Sequence, residues 1–92
     1  MKFTIAREKL LDPLQLTSGV VERRQTSPVL ANLLLNLEED RLVITGTDQE
    51  VELTVVITDV VVDSPGEVTV PARKLLDICK SLPDGAEMSA NL

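Results

Sequence analysis

Polar and apolar residues alternate at the start of the chain. In Lys2-Phe3-Thr4-Ile5-Ala6, Phe3 and Ile5 fall on one side, and a period of two marks a half-buried strand. At Arg7 the period changes. In REKLLDPLQLTSG, Leu10, Leu11 and Leu14 share one side at helical spacing, and Gly19 reads as the C-terminal stop. Pro13 falls inside this helix, removes one backbone donor, and should kink or confine it. The polar stretch VVERRQTSP, closed by Ser27-Pro28, reads as a loop.

The apolar run VLANLLLNL (29–37) fits a buried strand, with Pro28 before it and the turn residues EEDR after it. RLVITGTD and QEVELTVVITDVVV follow. In the latter, Val51, Leu53, Val55 and Ile57 alternate with Glu50, Glu52, Thr54 and Val56, as in an antiparallel strand with one wet face. Gly46 to Gln49 marks the hairpin between these two runs, with Gly46 in a turn role. The three strands predict a meander, and DSPGE predicts a turn.

The pattern then restarts. VTVPARKLLDIC (68–79) matches FTIAREKLLDPL (3–14) at an offset of 65 residues, with Thr, Lys, Leu, Leu and Asp recurring at the same strand-to-helix junction. EVTV predicts a strand and PARKLLDICKSLP a helix, with Pro71 suited to its first turn. Ala72, Leu75, Leu76 and Cys79 form the apolar face of that helix, with Arg73, Asp77 and Lys80 opposite. Pro83-Asp84-Gly85 ends it, and AEMSANL begins another strand. The repeating unit is therefore strand–helix–three strands. The expected division is a first unit of about 1–65 and an incomplete second unit of about 66–92, within a single partial domain of 1–92. The class is α+β.

Ninety-two residues suit one small domain. Leu and Val supply its core, because Phe3 is the only aromatic; stacking on exposed bases is thereby excluded. The charged start MKFTIAREK is no signal peptide, and no apolar run reaches about 18 residues. The chain reads as cytosolic and without a membrane partner. The net charge of −6 is distributed unevenly. Residues 1–24 carry +2 and residues 73–80 carry +2, whereas 25–72 carry −8 and 81–92 carry −2. An acidic protein can still own a basic face.

Catalytic chemistry has little to work with. The chain has no His, and Cys79 lacks such a partner and lies on an apolar helix face, where packing explains it. Glu38-Glu39-Asp40 lacks the alternating ligands and glycine of a calcium loop and reads as a solvated turn. No metal and no cofactor is expected. The basic residues carry more. Arg23 and Arg24 stand together in a loop, where they are either a solvated pair or a fork for phosphate. Arg73 and Lys80 either pair with Asp77 on the helix surface or face an anion.

Taken together, MKFTIAREKLL, TSPVLANLLL, LVITGTDQEVEL and VTVPARKLLDICKSLP resemble the amino-terminal domain of the bacterial DNA polymerase III beta subunit, the sliding clamp. The resemblance implies the DNA-clamp fold, helices lining a hole and sheets outside. It implies a DNA polymerase processivity factor, closed as a homodimeric ring around duplex DNA, with no catalysis of its own. It implies that Arg24 contacts DNA, that Arg73 and Lys74 stand near the channel and the inter-subunit edge, and that Arg7, Lys9 and Lys80 are further candidates. The family's binding pocket for the polymerase and clamp loader belongs to later domains. The chain is expected to stop before the strands that complete its second unit. A small self-associating α+β interaction module that never touches DNA is the alternative.

Overall fold

The computed structural model describes residues 1–22, 32–47 and 51–92. Two helices and seven strands occupy them: β1 (Lys2–Ala6), α1 (Arg7–Glu22), β2 (Asn32–Leu37), β3 (Leu42–Thr47), β4 (Glu52–Ile57), β5 (Val61–Ser64), β6 (Gly66–Pro71), α2 (Ala72–Ser81) and β7 (Glu87–Asn91). The strands form two antiparallel sheets, one ordered β5-β1-β7 and the other β4-β3-β2-β6.

The repeat is written into the structure. α1 begins at Arg7 and α2 at Ala72, the same offset of 65 that relates the sequences. The first strand of each unit pairs with the second strand of the other. Phe3 of β1 lies opposite Ala90 of β7, and its repeat-mate Val68 of β6 lies opposite Leu35 of β2. The two units are thus woven together.

Alternation in the strands builds the core. Phe3 and Ile5 of β1, Leu33, Leu35 and Leu37 of β2, and Leu42 and Ile44 of β3 are buried. They meet Leu10, Leu14 and Val21 of α1 and Ala72, Leu76 and Cys79 of α2 in one cluster. On the inner row, Leu35 lies opposite Val68 on one side and Ile44 on the other, and Ile44 opposite Val55. The alternates on the outer face mix polar residues with Leu34, Val43 and Val56; there the Thr45 and Thr54 hydroxyls pair across β3 and β4 at 3.3 Å and those of Thr4 and Ser89 across β1 and β7 at 3.2 Å.

Four expectations need correction. The run 50–62 is not one strand: β4 ends at Ile57, and after Thr58–Val60 the chain crosses to the other sheet as β5. A fourth strand therefore follows α1 and its meander. Helix α1 passes both Pro13 and Gly19, ending at Glu22, because Val21 is buried beneath it and rewards the extra turn. Gly46 is no turn residue. It lies inside β3, where a Cβ would stand 2.8 Å from the carbonyl oxygen of Thr17 in α1. Pro71 is the last residue of β6 and the N-cap of α2, with φ −63° and ψ 124°, so it stands one position before the first turn.

Thr17 and Ser18 are the polar residues of α1 that are buried. The Thr17 hydroxyl donates to the Pro13 carbonyl at 2.8 Å, a common use of Thr inside a helix. Ser18 Oγ has no partner among the described residues.

Candidate nucleic-acid interface

The two helices pack beside each other, and their outer faces carry the charged residues that the sequence singles out. Helix α2 has the periodicity for this task. Its buried stripe of Ala72, Leu76 and Cys79 faces the core, which turns Arg73, Lys74, Asp77 and Lys80 outward, all exposed. Three cations against one carboxylate leave this face positive. Lys80 sits in the last turn, where the partial negative charge of the helix end favours a cation. Ile78, given no role by the sequence, is 47% exposed one turn beyond Lys74. The signal was there: by helical spacing Ile78 belongs to the polar stripe, not the apolar one.

On α1 the two cations, Arg7 and Lys9, are each engaged by carboxylates. Lys9 Nζ lies 3.6 Å from Asp59 in the β4–β5 crossing, with both side chains largely exposed, so this pair is weak. Arg7 is different. Its side chain is only 14% exposed. Nε donates to the Cys79 carbonyl at 3.2 Å, and Nη1 donates to Glu8 at 2.9 Å and to Asp84 at 3.1 Å. Glu8 in turn accepts the Gly85 amide at 3.1 Å. Two more bonds close the junction: the Arg7 amide donates to the Ala86 carbonyl at 2.9 Å, and the Cys79 thiol donates to the Arg7 carbonyl at 3.8 Å. The hydrogen bond from Arg7 holds the Glu8 carboxyl below its ordinary range, and the same bond raises Arg7. Burial pushes the Cys79 thiol up, against the opposing pull of the Arg7 charge, which leaves it a poor nucleophile.

Arg7, expected among the DNA contacts, therefore has its guanidinium committed within the fold. Arg23 and Arg24 lie outside the described residues. The structure brings together Arg73, Lys74 and Lys80 on one helix, while Arg7 stands at that helix's C-terminal end through Cys79. The acidic turn also behaves as read: Arg41 Nε pairs with Glu38 at 3.2 Å and Asp40 at 3.1 Å at the tip between β2 and β3. No group of three or more His, Cys, Asp or Glu side chains among the described residues is placed to hold a metal ion.

A family model described as the DNA polymerase III beta subunit, N-terminal domain, matches residues 1–92, the whole sequence. The chain belongs to the DNA polymerase III beta subunit family. Among the relatives in this beta subunit family, the beta sliding clamp of Pseudomonas aeruginosa is 65% identical over 86 residues, covering 91% of this chain and 23% of that protein. The beta sliding clamp of Escherichia coli is 50% identical over 92 residues, covering 100% of this chain and 25% of its own. The crystal structure of the Pseudomonas aeruginosa beta subunit superimposes with a TM-score of 0.89 at 55% identity, over 100% of this chain and 25% of that one. The Caulobacter crescentus beta subunit gives 0.87 at 45% identity, over 97% of this chain and 24% of that one. This chain spans about a quarter of the length of the curated beta subunit relatives it matches. Across that span the clamp fold is shared throughout.

Proposed function

We propose that this chain is part of a ring-shaped sliding clamp, a processivity factor that encircles duplex DNA and tethers a replicative polymerase without catalysis of its own. The observation that carries this reading is the likeness to beta sliding clamps along the full 92 residues, at 50% identity to one of them. The distribution of charge supports it. The net charge is −6, yet the outer face of α2 presents Arg73, Lys74 and Lys80 against Asp77. A basic helix face on an acidic body suits a ring that touches phosphates on its inner wall and repels DNA elsewhere. Contacts to phosphate position a protein without reading sequence, and that is what sliding requires.

The proposed DNA contacts are Arg73 and Lys80 on α2, together with Arg23 and Arg24. Lys74 is assigned to the edge that meets a second copy, with the exposed Ile78 one turn on as its apolar neighbour. The polymerase and the clamp loader are taken to bind outside this chain, and the setting is the cytoplasm. Among the described residues no helix is long and apolar enough to cross a membrane.

Topology provides the test. The full chain, placed on a nicked circular plasmid by its clamp loader, is expected to stay bound for far longer than on the same plasmid cut once, because a ring leaves linear DNA by its ends. Equal retention on the two forms rules against encirclement, and no retention on either favours the self-associating module without DNA.

A further inference from the structure

We propose that Arg7 is a positioning residue: a guanidinium on α1 that caps the C-terminus of α2 and thereby sets where the cations of α2 stand, governing DNA contact without touching DNA. The inference rests on the clamp reading for its DNA readout and on the geometry of the helix junction for its substance.

Helix ends leave carbonyls without intrahelical donors. In α2, the Ile78 carbonyl accepts the Ser81 hydroxyl at 2.7 Å. The Cys79 carbonyl accepts the Leu82 amide at 3.3 Å and, from a different helix, Arg7 Nε at 3.2 Å. A cation at a helix C-terminus is favoured by the dipole, and here the cation arrives from 72 residues away in sequence. The same guanidinium holds Asp84 in the turn that follows α2, while its neighbour Glu8 holds the Gly85 amide of that turn. One end of α1 thus grips the end of α2 and its exit at several points. In the repeat, the residue 65 positions on from Arg7 is Ala72, which is fully buried and forms no such grip. The grip is one-sided: the start of α1 holds the end of α2 that bears Lys80, and Ala72 at the start of α2 returns no such hold on α1.

Planar geometry decides what may replace Arg7. Three bonds leave its guanidinium in a fixed fork, to a carbonyl and two carboxylates. Lysine has the charge but not the fork. A phosphate contact would tolerate lysine; this cap would not.

The experiment compares the full chain with Arg7→Ala, Arg7→Lys and Glu8→Ala. Binding to a short duplex is followed by fluorescence anisotropy across a range of salt, after wild-type retention on circular plasmid has been scored. Wild type leaving circles as fast as linear DNA ends the clamp reading, and the junction is then judged by amide exchange at Leu82 and Gly85 alone. With the clamp reading intact, both Arg7 variants are expected to weaken binding several-fold with the salt slope unchanged, and lysine is expected not to rescue. Glu8→Ala removes a negative charge, so by simple electrostatics it should strengthen binding; through the junction it should weaken it. Faster exchange at Leu82 and Gly85 in all three variants completes the expectation. A slope shallower by about 0.9, the loss of one phosphate contact, together with rescue by lysine, overturns the proposal in favour of direct contact. Unchanged binding and unchanged exchange overturn it outright. Should Arg7→Ala fail to fold, Arg7→Lys and Glu8→Ala decide the same question.

Discussion

At the residue scale, two glycines on opposite terms show how position sets the sign of a substitution. Gly19 lies within α1, where a Cβ would meet nothing within 4 Å. Glycine there leaves the helix looser than alanine would, and Gly19→Ala is expected to stabilise the fold by roughly 0.5–1 kcal/mol. Gly46 is where β3 passes under α1. Its Cβ would press on backbone, at 2.8 Å from the Thr17 oxygen, and on the Leu33 and Val21 side chains at 3.2 and 3.3 Å. Backbone cannot turn aside as a side chain can, so Gly46→Ala is expected to cost about 1–3 kcal/mol, as overpacking does. Urea unfolding of the two variants beside wild type reads both numbers. Equal effects would mean that the α1–β3 contact is not the constraint described here. Sequence alone could not separate these glycines, since each sits beside polar residues in a stretch that reads as an ending. What distinguishes them is a neighbour brought from elsewhere in the chain.

At the element scale, the junction of α1 with α2 makes a prediction about acid. Glu8 has its carboxyl held below the ordinary range by Arg7. A depressed acid contributes stability above its unfolded range and loses it as pH falls through that range towards its folded value. Thermal melts of wild type and Glu8→Gln should therefore differ at neutral pH, with wild type higher, and converge in acid. A gap that stays constant through the acid limb would show that the carboxylate charge is not what the junction uses. The elements themselves were largely legible. Alternation in 2–6 and the helical spacing of Leu10 and Leu14 each matched a period, the restart after Gly66 followed a turn signal, and the strand-to-helix repeat places both helix starts. The break after Ile57 was not legible. Thr58–Val60 contain no Gly or Pro, and the apolar run resumes at once; the chain bends there because one sheet ends and the other offers β1 as a partner. The outward cations of α2 followed from its period. The engagement of Arg7 did not, because Cys79 and Asp84 come to it only through the packing of two distant helices.

At the scale of the whole molecule, the open edges matter most. β7 pairs with β1 on one side and stands at the margin of its sheet on the other. Its inward residues, Met88 and Ala90, are only half-buried. Strand edges of this kind recruit other strands. Produced as these 92 residues alone, the chain is expected to self-associate at micromolar concentration through β7, and sedimentation velocity would see it. A charged substitution at Ser89, on the exposed face of β7, should reduce the association, and a monomer at every concentration would show that the margin is already protected. The weaving of the two units has another consequence, which concerns synthesis. β1 is made before every other described element and β7 after them all, yet they are neighbours in one sheet. At a synthesis rate of about 5–20 residues per second, the interval between them is on the order of ten seconds. Throughout it, Phe3 and Ile5 wait without the strand that will lie opposite them in Ala90 and Met88. Nascent chains on one messenger carry the same waiting strand, spaced along the same template. The hazard for this fold lies in that interval, when the edge of β1 is offered to whichever complementary strand reaches it first.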